Sequence, residues 1–269
     1  MAKHTKLSII VPTYDEADNI EPLTERLFKA TKAAGLTAEL LIMDDESPGT
    51  AATEELVKKL SGERGHPVRI HVRRRGEGRG LSSAVLLGFD MAKYPVVLCM
   101  DADLQHEPEA VPAVAGPVLA GEADFSVGSR NVAGGQVAGW TLGRRAISLG
   151  ATVLAAPLTP CTDPMSGFFA LPKAALERGR AACNPVGFKI GLEIMVKCKC
   201  QKVTDVPITF RDRVAGESKL SMKQNLLYLR QLAGLYWFRY PLACLLVPGF
   251  LLLAAAAVLG AIAEQLAGP

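Results

Sequence analysis

LSIIVPTY at residues 7–14, ELLIMDD at 39–45, RIHV at 69–72, VVLCMD at 96–101 and DFSVGS at 124–129 are five short apolar runs separated by stretches with helical spacing. Such alternation predicts βαβ units and a mostly parallel sheet, an α/β fold. The first intervening helix is punctuated. Asp18 is its candidate N-cap, Glu21 follows three residues on, and Gly35 comes after the last turn. In open α/β sheets ligands bind in the crevice outside the carboxyl ends of the strands, so the residues that close these runs are the first candidates for a site.

The fourth run continues as MDADLQH, Met100 to His106. In extended backbone, side chains two apart point the same way, so Asp101 and Asp103 are expected to present carboxylates to one side, with Gln105 next in register. Oxygen ligands of this kind suit Mg²⁺ or Mn²⁺, whose remaining positions diphosphate oxygens can fill. In VPTYDE, Pro12 ends the first strand; Tyr14 is placed to pack near a nucleotide base and Glu16 to accept hydrogen bonds from base or ribose. Asp44 and Asp45 close the second strand next door. Turn chemistry would explain any one of these acids, but it poorly explains acids at three neighbouring strand ends.

A net charge of +3 in 269 residues gives no reason to expect nucleic acid. The six cysteines form no CxxC pair and no zinc-like spacing with histidine, which fits a reducing compartment. The Gly- and Ala-rich stretch 132–143 reads as a mobile loop over the carboxyl edge of the sheet.

The character changes after Phe210. Met222, Leu226, Leu229, Ala233 and Tyr236 recur at helical spacing, with Lys219, Lys223, Arg230 and Arg239 nearby. Tyr228, Tyr236, Trp237 and Tyr240 gather before a long apolar run. Residues 218–240 are therefore expected to form an amphipathic interfacial helix with an aromatic belt, a core-packing helix being the alternative. Residues 241–263 carry no charge over 23 positions. At about 1.5 Å per helical residue they are long enough to cross a bilayer once. A short tail, 264–269, follows. Lys and Arg crowd the amino side of the expected span, which orients residues 1–217, the expected catalytic domain, toward the cytosol.

VPTYDE, MDDESP, DADLQHEPE, VGSR, DPMSGFFA and GESKL occur in the order and approximate spacing of the family 2 glycosyltransferases, and over about residues 6–221 the chain resembles that family. GESKL with one C-terminal span is most similar to the single-chain subgroup that transfers mannose to dolichyl phosphate. The resemblance implies a GT-A, Rossmann-like fold, GDP-mannose as donor, dolichyl phosphate as acceptor, a divalent metal (Mg²⁺ or Mn²⁺) and inversion at the anomeric carbon. It also implies the endoplasmic reticulum membrane and a place in supplying mannose for protein glycosylation and GPI-anchor precursors, with no obligatory protein partner.

Carried over by position, Pro12, Tyr14, Glu16, Met43 and Asp45 would hold the nucleotide. Asp101, Ala102, Asp103 and Gln105 would lie at the metal and diphosphate. Arg130, Arg213, Ser218 and Lys219 would grip donor and acceptor phosphates. Two other readings stay open: the same fold with UDP-glucose as donor, and a membrane-tethered nucleotide-binding protein without turnover. The chain departs from the family at Gly49, where an Asp is usual, and RRRGEGRG at 73–80 is unusually basic; a solvated charge run is the simpler reading of it. His106 is expected to be a structural neighbour of the metal site. Arg144, Arg145 and Ser148 form R-R-x-x-S, a candidate phosphorylation site.

No enzyme base is needed for such a reaction. A phosphate monoester has a second pKa of about 6, so at pH 7 it is already largely an oxyanion.

Overall fold

A computed structural model describes residues 4–74, 78–184, 187–211 and 222–246 of the chain. The five apolar runs become strands: β1 (Lys6–Thr13), β2 (Thr37–Asp44), β3 (Val68–Val72), β4 (Val96–Cys99) and β5 (Phe125–Ser129). Helices α1 (Ala17–Ala33), α2 (Thr50–Gly62), α3 (Leu81–Met91) and α4 (Val111–Leu119) connect them in turn. After β5 come β6 (Gln136–Val137), α5 (Leu142–Ala155), β7 (Phe169–Pro172), α6 (Lys173–Glu177), α7 (Ile190–Lys197), β8 (Val203–Pro207), β9 (Thr209–Phe210) and α8 (Met222–Arg239).

Seven strands form one sheet in the order β3-β2-β1-β4-β7-β5-β8. All neighbours are parallel except β7, which runs antiparallel between β4 and β5. The alternation of side chains along each strand feeds two cores. Leu7, Ile9 and Val11 of β1 pack with Leu23 and Leu27 of α1 and Val114 of α4. Ile10, with Met43 of β2, faces Val85 and Phe89 of α3 on the other side. Burial on both faces is what makes the runs continuously apolar. Gly88 lets α3 lie directly on this surface, since a Cβ there would come within 2.6 Å of an Ile10 methyl and 3.1 Å of Met43 Cγ.

Several expectations are corrected. Helix α1 begins one residue before Asp18, with Glu16 at the N-cap position and no side-chain capping bond. Asp18 instead lies in the first turn, where its charge complements the helix dipole. Gly35 does close the helix, at φ +67°. The glycine-rich stretch is tied down in its middle, because β6 pairs in parallel with β9.

On α8, Leu226, Leu229 and Ala233 of the stripe read from the sequence are exposed, as an interfacial helix would have them, whereas Tyr236 is half-buried against the core and Tyr228, Leu232 and Leu235 form the buried side. The expected aromatic belt is mostly a strap. The hydroxyls of Tyr228, Tyr236 and Tyr240 donate to the carbonyls of Ala151, Leu154 and Pro157, pinning α8 along α5, and Trp237 remains exposed. Residues 241–246 continue as helix, and the rest of the run expected to span a bilayer lies outside the described residues. Among the described residues no helix is long and apolar enough to cross a membrane.

Candidate active site

Because β1, β2 and β4 are parallel neighbours, Thr13, Asp44 and Cys99 end at one edge, and the ladder runs slightly past it. Asp45 N donates to Thr13 O at 3.1 Å and Met100 N to Ile10 O at 3.2 Å. That edge floors a cleft of about 730 Å³. Pro12, Tyr14, Glu16, Asp45, Asp101, Ala102, Asp103, Gln105 and Arg130 all line it. Met43 does not: its side chain is fully buried under α3. Arg213, Ser218 and Lys219 lie outside the described residues.

The acids at the edge have different work. Asp44 is buried and accepts bonds from the hydroxyls of Thr13 (2.8 Å) and Thr50 (2.5 Å), so it is a structural clasp. Asp45 is joined to the Arg73 guanidinium and accepts the Gly80 N–H at 2.8 Å. The basic stretch 73–80 is therefore not simply a solvated charge run, since Arg73 is 1 % exposed and also donates to Gly78 O, Ser83 Oγ and Gly80 O. Asp45 thereby shapes the loop that carries Gly80 and Leu81 into the cleft. At Gly49 a Cβ would meet Asp15 Oδ1 at 2.8 Å, so that position packs against the turn after β1.

The MDADLQH segment is not extended past Cys99 as the sequence argument assumed. Residues 102–105 bend, with Leu104 at φ +58°, a strained conformation for a branched side chain. The turn, not strand alternation, brings Asp101, Asp103 and Gln105 to the cleft. Asp103 Oδ1 accepts from Gln105 N at 3.2 Å, and Gln105 Nε2 donates to Arg211 O at 3.0 Å, so the amide oxygen is the atom it offers a cation. Close approach of Gly167, whose absent Cβ would lie 3.2 Å from Asp101 Oδ2, confines the Asp101 carboxylate from behind.

These donors fit a hard divalent cation, but only as part of its shell. Among the described residues no three His, Cys, Asp or Glu side chains are grouped to hold a metal unaided. Ligand oxygens would have to complete it, as Mg²⁺ and Mn²⁺ sites on diphosphates commonly arrange.

Two groups missed by the sequence reading complete the wall. Asp163, fully buried, accepts Arg130 Nε at 2.7 Å, Nη2 at 2.8 Å and the Arg130 backbone N–H at 3.0 Å. Burial alone would raise its pKa; the bidentate guanidinium outweighs this and holds the carboxyl below the ordinary range. Arg130 in turn lies 5.0 Å from the Trp140 ring and 5.1 Å from Phe210, and Arg144 stacks 4.4 Å from Trp140. Ser148, of the R-R-x-x-S stretch, lines the same cleft.

The second missed group is Lys189, whose Nζ donates to Met165 O at 2.6 Å. Burial, then the nearby Arg130 charge, push its pKa down to about 8. Asp163 opens the quoted DPMSGFFA motif, and Lys189 is a lone cation in GFKIGLEIM; a charge isolated in apolar sequence was the available signal.

His106 is packed between Phe168 and Phe210, is 2 % exposed, and places Nδ1 3.6 Å from Asp101 Oδ2. Burial pushes its pKa down to about 4.

The family model described as Glycosyl transferase family 2 matches residues 8–180. A relative from Saccharomyces cerevisiae named dolichol-phosphate mannosyltransferase is 44 % identical over 245 residues, covering 87 % of this chain and 88 % of its own. One of the same name from Pyrococcus furiosus is 43 % identical over 231 residues, 84 % of this chain; the match spans 62 % of that longer protein. Solved structures share the fold at low identity. Mannosyl-3-phosphoglycerate synthase from Rubrobacter xylanophilus superposes with a TM-score of 0.58 at 16 % identity, covering 86 % of this chain and 73 % of that one. Glucosyl-3-phosphoglycerate synthase from Mycobacterium tuberculosis, in complex with Mn²⁺, UDP-glucose and glycerol 3-phosphate, gives 0.53 at 18 %, covering 87 % and 80 %.

The buried imidazole makes stability pH-dependent in a defined direction. An unfolded chain protonates His106 near pH 6.5, the native one only near 4. Acid therefore favours unfolding: the penalty is absent above about pH 6.5, grows as pH falls toward 4, and levels off below it. For that shift it amounts to about 3 kcal/mol. Denaturant unfolding at pH 7 and pH 4.5 should show His106→Gln losing less stability on acidification than the wild type; equal losses would mean the imidazole is not held neutral.

Proposed function

The chain belongs to glycosyl transferase family 2, and from that premise we propose that it transfers mannose from GDP-mannose to dolichyl phosphate, giving dolichyl β-D-mannosyl phosphate and GDP. The observation that carries this reading is the identity of 44 % across 88 % of the yeast dolichol-phosphate mannosyltransferase. The cleft is suited to the chemistry. An acidic floor at the strand ends meets a wall bearing Arg130, Arg144 and Lys189, with Asp101 near enough to act on the Lys189 ammonium.

In this mechanism the guanine nucleotide lies at the Pro12, Tyr14 and Glu16 end. Asp101, Asp103 and the Gln105 amide oxygen would hold the divalent metal, which supplies neutralisation of the diphosphate leaving group. An oxygen of the acceptor phosphate, already anionic, bonds to the anomeric carbon from the face opposite the diphosphate. The bond from that carbon to the β-phosphate oxygen breaks, and its electron pair leaves with GDP. No proton moves. The protein's part is in-line positioning, a preorganised cationic wall and exclusion of water from the donor. A bidentate pair with Asp163 fixes Arg130 for this, and the Trp140 stack holds Arg130 and Arg144 side by side.

We further propose that the catalytic part works on the cytosolic face of the endoplasmic reticulum membrane. Support comes from an apolar face without cover among the described residues: Ile147 and Val153 on α5, Leu226 and Leu229 on α8, then Leu242 and Leu246, where the uncharged run continues. A chain ending at Leu246 should become extractable by alkaline carbonate while still binding GDP. Resistance to extraction would contradict an anchor beyond that residue.

Donor choice tests the central reading. The purified chain, given dolichyl phosphate and Mg²⁺ or Mn²⁺, should turn over GDP-mannose at least tenfold better than UDP-glucose or UDP-N-acetylglucosamine, because a site that hydrogen-bonds one base leaves its polar groups unpaired with another. Preference for a uridine donor would assign the chain to the glucosyl reading.

A further inference from the structure

Lys189 lies immediately before α7, on the wall of the cleft, and is held at both ends. Its Nζ donates to Met165 O at 2.6 Å, and its carbonyl accepts Gln231 Nε2 of α8 at 3.1 Å. Gln231 also donates to Glu193, itself paired with Lys197, so the grip on Lys189 belongs to a buried network joining α7 and α8. A single carbonyl satisfies one of the three ammonium donors and none of its charge. Nζ also lies 4.6 Å from the centre of the Phe188 ring, and the Asp101 and Asp163 carboxylates act on it at longer range, but among the described residues no carboxylate comes within ion-pair distance, in contrast to Arg73 with Asp45 and Arg130 with Asp163. Lys189 is half-buried on the wall of the cleft, so an ammonium with donors to spare can still take up an anion that enters there.

The position selects which anion. The nucleotide end of the cleft is built by Pro12, Tyr14, Glu16 and Gly80, on the turns after β1 and before α3. Lys189 sits between that end and α8: Ser82 of α3 donates to Gly187 O at 2.8 Å, while Gln231 of α8 holds the Lys189 carbonyl one turn from Tyr228, whose hydroxyl donates to Ala151 O of α5, so the outward apolar residues of α5 and α8 belong to its second side. We propose that Lys189 contacts the phosphate monoester of the lipid acceptor and holds it for attack. The proposal rests on the mannosyl-transfer reading above. An attacking phosphate must approach the sugar while a second charged group departs, and a fixed ammonium beside the incoming oxygens offsets that repulsion without reorganisation.

Lys189→Gln is the informative variant, since its amide can still donate to Met165 O while the charge is lost; Lys189→Arg restores the charge. In the full-length, detergent-purified chain, titration calorimetry with GDP present would follow binding of citronellyl phosphate, a soluble monoester. Lys189→Gln should weaken that binding at least tenfold and raise the KM for dolichyl phosphate, with GDP affinity within twofold of wild type, and Lys189→Arg should recover part of the loss. Unchanged monoester binding in Lys189→Gln, or no binding by the wild type, overturns the proposal. So does an equal loss of GDP affinity, which would put the ammonium on the donor's diphosphate. Wild-type turnover with dolichyl phosphate, measured in parallel, tests the mannosyl reading separately, because the binding comparison does not depend on it.

Discussion

A carboxylate with no access to water must be matched, and the pair that answers this at Asp163 organises the far wall of the cleft. Arg130 stands at the end of β5 and Asp163 in the connection leading to β7, 33 residues apart. Joining them closes that connection onto the sheet. It presents Gly167 behind Asp101, gives Trp140 a cation to stack on, and leaves the guanidinium in a single orientation. Removing either partner would strand a buried charge, a cost of about 3–5 kcal/mol in comparable pairs.

The same accounting sorts the remaining charges. Asp44 is satisfied by two threonine hydroxyls and Asp45 by Arg73 and the Gly80 N–H, so these acids build the end of the cleft beside Tyr14 and Glu16 rather than compete for a cation. Asp101 and Asp103 occupy a bend whose strain at Leu104 is sustained by packing around His106, between Phe168 and Phe210. Strain of this sort is commonly kept where function needs a geometry that the relaxed chain would not adopt. The cleft thus joins a rigid acidic floor to a cationic wall, and α8 braces that wall from behind through Gln231.

The first half of the molecule was readable because β1, β2, β4 and β5 are buried on both faces, which turns each into an apolar run bounded by polar residues, while the edge strand β3 is only half-buried; LSIIVPTY at 7–14 is β1 displaced by one residue. Candidate acids followed from the parallel topology alone. What was not readable depended on distant partners. β7 is only four residues, starting at the end of the DPMSGFFA motif and running past it, and its antiparallel placement is set by β4 and β5, not by local pattern. Arg73 sits in a basic stretch that looks solvated, and only the fold brings Asp45 to it. Lys189 and Asp163 are single charges in apolar sequence, whose roles appear once Met165 and Arg130 are placed beside them. On α8 the periodicity was legible, and Leu226 and Leu229 of its stripe do face outward as an interfacial helix requires; what was not legible is the buried side, Tyr228, Leu232 and Leu235, which is set by what α8 packs against.

On the proposed mannosyl-transfer reading, a cleft that aligns one phosphate oxyanion opposite one leaving diphosphate permits a single displacement at the sugar. The anomeric configuration of the product, read by NMR from the carbon–proton coupling at C1 of the mannosyl phosphate lipid made from GDP-α-mannose, tests this directly. A β-linked product is what the cleft should yield; an α-linked one would require a covalent intermediate or front-face transfer and would contradict the account.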